Sequence, residues 1–194
     1  MGCNHSVIFD PEDAEIIYFT GLNGVQCMDL RNNKCQFLLE GYTSGITVNP
    51  QNSKALYVAR KDETFVHKQL RWVHNYSSRI YISRSLDNGK HWEDIHFNLP
   101  DPAADIQLFH NKGALYAIVT HTFAEYIKDE TNKTILSGSL QVSVWKLPDN
   151  TSKWERVCDE LDGNKWKPII GISFEDNKIY YIEQDLGPIW KMPN

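Results

Sequence analysis

The sequence predicts an all-β chain folded as a β-propeller of about four four-stranded antiparallel blades. Three observations carry this. Short runs rich in β-branched and aromatic residues alternate with turn residues along the chain, and no long stretch has helical periodicity. A hairpin ending on tyrosine recurs as FDPEDAEIIY (9–18), VNPQNSKALY (48–57), LFHNKGALY (108–116) and FEDNKIYY (174–181). A second hairpin follows each of the first three, in the same order. One four-stranded meander cannot cover both of its faces, so repeated sheets must stack. Radial stacking gives a propeller. A two-sheet sandwich would leave the recurring order of hairpin pairs without a cause.

The blades follow in chain order. The first spans about 6–40, and its second hairpin is VQCMDL, RNNKC, QFLLE, with Asn32 at the turn and Phe37 in the outer strand. The second, at 45–99, has RIYISRS, LDNGK, HWEDIHF. The third, at 105–160, has LQVSVWKL, PDNTS, KWERVCD. Aligning Asp87 with Asp149 places Trp92 on Trp154 and Glu93 on Glu155. The fourth, at 168–194, stops at GPIWKMPN after its third strand. No spare strand precedes Ser6-Val7-Ile8-Phe9 to complete it. The expectation is a single domain over 1–194 that forms an incomplete arc of a larger propeller, with an edge that must be paired.

The turn SLDNGKHW (85–92) has a physical rationale. Gly89 can take positive φ without steric cost. Asp87 and Ser85 can accept backbone N–H groups across the turn. Trp92 can pack back over it, a burial worth roughly 2–3 kcal/mol.

These residues resemble the Asp-box, S-x-D-x-G-x-x-W, of the sialidase-type (BNR) repeat propellers, with some likeness to the propeller of sortilin-type sorting receptors. Ser85, Asp87, Gly89 and Trp92 match all four defining positions. The third-blade copy keeps Asp149 and Trp154 but has Leu147 for Ser and Thr151 for Gly. The resemblance implies that the box is architectural and lies away from the ligand face. It also implies what a sialidase would need: an arginine triad, an Asp acid/base, a Tyr nucleophile and an Arg-Ile-Pro element. Arginines serve there because their planar fork grips a carboxylate in bidentate fashion. The six arginines here are Arg31, Arg60, Arg71, Arg79, Arg84 and Arg156; none sits in Arg-Ile-Pro, and Arg31 and Arg84 adjoin box turns. A non-enzymatic, receptor-like module that recognises a peptide, protein or glycan is therefore preferred. A sialidase-like glycosidase, or its inactive relative, is the alternative.

Meander geometry puts the box turns on one side of the blades and the two–three connections on the other. Two of these connections, 61–78 and 121–138, are long enough to carry function. The first offers Phe65, His67, Trp72, His74 and Tyr76; the second offers His121, Phe123 and Tyr126. Aromatics with polar neighbours suit peptide or glycan binding. The competing reading is that they pack the insertions onto the blades.

Composition narrows the partners. A net charge of −5 without a dense basic patch argues against nucleic acid. No apolar run reaches the roughly 18 residues of a membrane span. No metal-ligand spacing, phosphate loop or cofactor motif is present in the sequence, so neither metal nor cofactor is expected. Cys27 and Cys35 flank a hairpin turn and are a candidate disulfide; the alternative is two half-buried thiols. Sequons at Asn75, Asn132 and Asn150, with a fourth at Asn4, suggest glycosylation and a secretory or extracellular setting. Against this, MGCNHS fits a lipid-anchored cytosolic protein through Gly2 and Cys3.

Overall fold

A computed structural model describes residues 4–61, 80–95, 103–128, 134–161, 169–175, 178–183 and 190–191. Its strands form four antiparallel sheets. The first holds β1 (Asn4–Phe9), β2 (Ile16–Gly21), β3 (Gly24–Asp29) and β4 (Lys34–Glu40), in that order. The second holds β5 (Thr43–Asn49), β6 (Asn52–Lys61), β7 (Ile80–Ser85) and β8 (Glu93–Ile95). The third holds β9 (Ala103–Asn111), β10 (Ala114–Lys128), β11 (Thr134–Pro148) and β12 (Glu155–Leu161). The fourth holds β13 (Ile169–Glu175), β14 (Lys178–Glu183) and β15 (Trp190–Lys191). Each is a simple meander, and the all-β propeller architecture stands.

Side-chain alternation explains the stacking, because residues two apart share a sheet face. On the second sheet, Ile46, Val48, Leu56 and Val58 form one face and pack against Tyr18 and Val25 of the first sheet. The opposite face carries Ala55, Tyr57, Ala59 and Ile82, and packs against Ile106, Leu108, Leu115 and Ala117 of the third. Strand β5 is buried along its whole length because a blade lies on either side. The Thr43 hydroxyl donates to the Gly21 carbonyl and accepts its N–H, both at 3.2 Å, tying the end of β2 to the start of β5. Gly45 sits where β5 runs close to β9. A Cβ there would lie 2.7 Å from the Ile106 carbonyl oxygen.

Two expectations need correction. Cys27 and Cys35 are free thiols. Cys27 pairs across the ladder with Gln36, and Cys35 with Met28. Directly paired residues share a face, so the two sulfurs belong to opposite faces of the sheet, and no bridge forms without a one-residue slip. The Cys35 thiol instead donates to Gln26 Oε1 at 3.3 Å. Cys35 is exposed, whereas burial pushes the half-buried Cys27 thiol up in pKa. Maleimide under non-reducing conditions is therefore expected to label both, Cys35 first; one disulfide and no labelling would reverse this assignment.

The second correction concerns 121–138, of which 121–128 and 134–138 are strand rather than loop. Strands β10 and β11 stay paired from Ala114↔Pro148 out to Lys128↔Thr134, one continuous ladder. Six of its thirteen described residues are Thr, Phe, Tyr or Ile, which suit a pleated surface better than a coil.

Candidate functional site

The box turn between β7 and β8 is an internally satisfied structure. The Ser85 hydroxyl accepts the Gly89 N–H at 2.8 Å and donates to Asp87 Oδ1 at 2.9 Å. The same carboxylate oxygen accepts the N–H groups of Lys90 and His91 at 3.1 and 2.9 Å. His91 Nδ1 stands against the other oxygen. The His91 side chain and backbone N–H, with the Ser85 hydroxyl, hold the Asp87 carboxyl well below the usual carboxylate range. Asn88 and Gly89 both take positive φ, 60° and 79°, which bends the chain tightly enough for these bonds to converge. Both carboxylate oxygens of Asp87 thus serve the turn.

Trp92 does more than close its own turn. Its indole N–H is shared between the Gly89 carbonyl and the Leu38 carbonyl, each at 3.0 Å. Leu38 belongs to β4 of the neighbouring blade, and a Cβ on Gly89 would collide with its side chain at 2.8 Å. The box therefore clips the outer edge of blade two onto blade one.

The degenerate copies behave differently. Asp149 does not organise its own turn. Its side chain takes His110 Nε2 at 2.9 Å, and its N–H donates to the Gly113 carbonyl. The Thr151 N–H donates to the Pro148 carbonyl, replacing what a glycine turn would provide. The His110 side chain is fully buried and stacks on Tyr57 of the previous blade, with ring centroids 5.6 Å apart. Burial and the Asp149 charge push the Tyr57 hydroxyl up, with Arg84 opposing. Trp154 packs half-buried against the core between blades two and three. In the first blade, Phe37 is exposed and on the face turned away from blade two, so it does not stand in for the tryptophan. Nothing in the sequence alone marked His110; its place in the repeat, opposite Leu115, was the available signal.

The charged groups near the blade-two edge are already engaged. Arg84 pairs with Glu93, and Arg60 approaches Asp94 at 3.7 Å. Arg31 binds Asp13 and Asp29 on blade one. A cleft of about 280 Å³ lies beside the box, lined by Arg84, Leu86, Asp87, His91, Trp92 and Glu93. Among the described residues, no three His, Cys, Asp or Glu gather as a metal site.

Phe65, His67, Trp72, His74, Tyr76 and Asn75 lie outside the described residues. So do Asn132 and the N-terminal Gly2 and Cys3. His121, Phe123 and Tyr126 lie on β10, paired with Gln141, Ser139 and Leu136; their side chains are outside the description. The ladder there has a distinctive shape. Strand β9 pairs β10 only over 114–121, and β12 pairs β11 only over 142–146. Residues 122–128 and 134–140 therefore form a two-stranded ribbon beyond the blade, about 24 Å long at roughly 3.4 Å per residue. Among the described residues, neither edge of this ribbon is paired. Asn150 is exposed on the box side, in the turn after β11.

No family model matches the chain, and no curated protein matches it. Among solved structures, 97% of the chain aligns with an ancestral GH74 enzyme at a TM-score of 0.57 and 13% identity. The chain spans 30% of the length of that enzyme. It also aligns over 97% of its length with 75% of a chain in a nidogen/laminin complex, at a TM-score of 0.43 and 11% identity. At 13% identity the likeness to the GH74 enzyme is one of fold and of nothing finer.

Proposed function

We propose that the chain is a non-enzymatic, receptor-like propeller module of the Asp-box kind, which recognises a peptide, a protein or a glycan. The observation that carries this reading is the β10–β11 ribbon. An isolated two-stranded ribbon leaves two rows of N–H and C=O groups available, and extended peptides bind such edges by adding a strand. Phe123 and Tyr126 on β10 supply aromatic candidates for side-chain selectivity. The box supports the reading from the other side, since its polar groups serve the turn and the blade junction rather than a reaction. The sequons at Asn75, Asn132 and Asn150 favour a secretory or extracellular setting over the lipid-anchored one.

Joining Thr122 to Leu140 through Asn-Gly removes the ribbon and leaves a two-residue hairpin turn in its place. Screened on a random-peptide array and a glycan array, the intact chain is expected to bind a defined subset. The shortened chain, with an unchanged far-UV spectrum, is expected to lose that binding at least about tenfold. Identical profiles for the two would remove the ribbon from recognition. Turnover of a fluorogenic sialoside, abolished by Arg60→Ala, would replace the binding reading with the glycosidase one.

A further inference from the structure

The ribbon of 122–128 and 134–140 is unfinished as a sheet among the described residues. A two-stranded hairpin by itself is marginal in water, and further strands stabilise it. The ladder decides which groups the ribbon offers. In an antiparallel pair, opposed residues alternate between pairs that exchange N–H···O bonds and pairs that do not. The Asp149 N–H donates to the Gly113 carbonyl at 2.9 Å, one step beyond the Ala114↔Pro148 pair. From there the ladder runs without a shift to Lys128↔Thr134, so the odd-numbered residues of both strands form the bonded pairs. The even-numbered residues turn their N–H and C=O groups outward. On β10 these are Thr122, Ala124, Tyr126 and Lys128; on β11 they are Thr134, Leu136, Gly138 and Leu140.

The two edges differ in chemistry. Natural sheet edges are guarded by charged residues and prolines. The β10 segment 122–128 reads TFAEYIK and carries Glu125 and Lys128. The β11 segment 134–140 reads TILSGSL and carries neither a charge nor a proline.

The β11 edge is also complementary to itself. Two copies related by a two-fold axis at Ser137 pair antiparallel over 134–140, with Thr134 opposite Leu140 and Leu136 opposite Gly138. All four are outward residues, so every free N–H and C=O of the edge gains a partner. Ser137 meets its own copy at the axis, where no charge opposes the contact. The same operation on β10 has its axis at Glu125 and sets Glu125 opposite Glu125. Like charges directly opposite are destabilising. A β10 edge on a β11 edge joins unlike surfaces, whereas β11 on β11 is isologous and closes at two copies.

We propose that 134–140 docks the same segment of a second copy of this chain, completing a four-stranded antiparallel sheet across the dimer. The two third blades then lie at opposite ends of that sheet, separated by the ribbon's length of about 24 Å. The β10 edges lie outermost and stay open in the dimer.

The test is the mass of the full 194-residue chain by light scattering after size exclusion, from about 1 to 100 μM. A rise from 22.5 kDa to twice that value, and no further, is expected. Leu136→Pro removes one outward N–H, a change that edge strands tolerate. It is expected to weaken association at least about tenfold. Leu136→Ala keeps the N–H, and Ala124→Pro alters the β10 edge; both are expected to leave association unchanged. Ser137→Cys gives a second measurement that does not depend on a loss. Opposed residues of a non-bonded pair have Cα atoms about 4.5 Å apart, within the span of a disulfide. Mild oxidation is expected to link position 137 of the two copies, read by peptide mapping, whereas Glu125→Cys forms no such link. If Leu136→Pro alters the far-UV spectrum, the link at 137 decides. A chain that stays at 22.5 kDa, the absence of that link, or association that survives a folded Leu136→Pro overturns the proposal. So does a monomer whose array peptides are lost with Leu136→Pro, which assigns the edge to a peptide instead.

Discussion

Trp92→Ala is expected to lower the free energy of unfolding by about 3 kcal/mol, near the low end for losing a packed tryptophan because the ring is half-buried. For a chain of this size that is a fall in midpoint of roughly 6–12 °C. The loss has two parts. The ring covers the Tyr18, Val25, Ile46 and Val48 cluster that joins the first two blades. Its N–H also satisfies carbonyls on both blades, Gly89 and Leu38. Trp92→Phe separates them: most of the buried area remains, and the missing N–H donor costs roughly 1 kcal/mol. Chemical denaturation of the three proteins measures the division. If Trp92→Ala unfolds like the parent, the box is not the clip that its geometry describes.

Gly45→Val is expected to cost at least 1–3 kcal/mol, the range for overpacking a close-packed interior. Gly45 is not one of the positive-φ residues, so the effect is steric rather than a matter of backbone strain. Its Cβ would stand 2.7 Å from the Ile106 carbonyl oxygen, and that atom belongs to the backbone of β9 and cannot swing away. The inner strands of blades two and three must then part, loosening the junction that buries Ile82, Leu115 and the His110–Tyr57 stack. A lowered thermal midpoint together with a weaker near-UV signal is the expected readout. A parent-like midpoint would mean that β5 and β9 adjust independently at this point. The two substitutions act on opposite edges of the same blade, one just before its outer strand and one on its inner strand.

The strand order, the hairpin sequence and the box were legible because each is local. Alternation over five or six residues fixes a strand, and Asp87, Asn88 and Gly89 fix the turn that follows it. The ribbon was misread because length alone was taken as a sign of a loop, whereas the pairing of 121–128 with 134–141 runs on from the blade. The thiols were misread because closeness in a hairpin was taken for a shared face, and a one-residue offset reverses the face.

By itself, then, the sequence determined a chain of antiparallel meanders with one intact box turn and its decayed copies. Only the tertiary structure decided what those parts touch. Trp92 reaches a carbonyl 54 residues away, Asp149 leaves its turn to hold a buried histidine 39 residues back, and Val7, Phe9 and Phe37 of the first sheet stay exposed. The physical reason is that turn chemistry and period-two alternation are written in neighbouring residues, whereas burial of a face depends on which other sheet comes to lie against it.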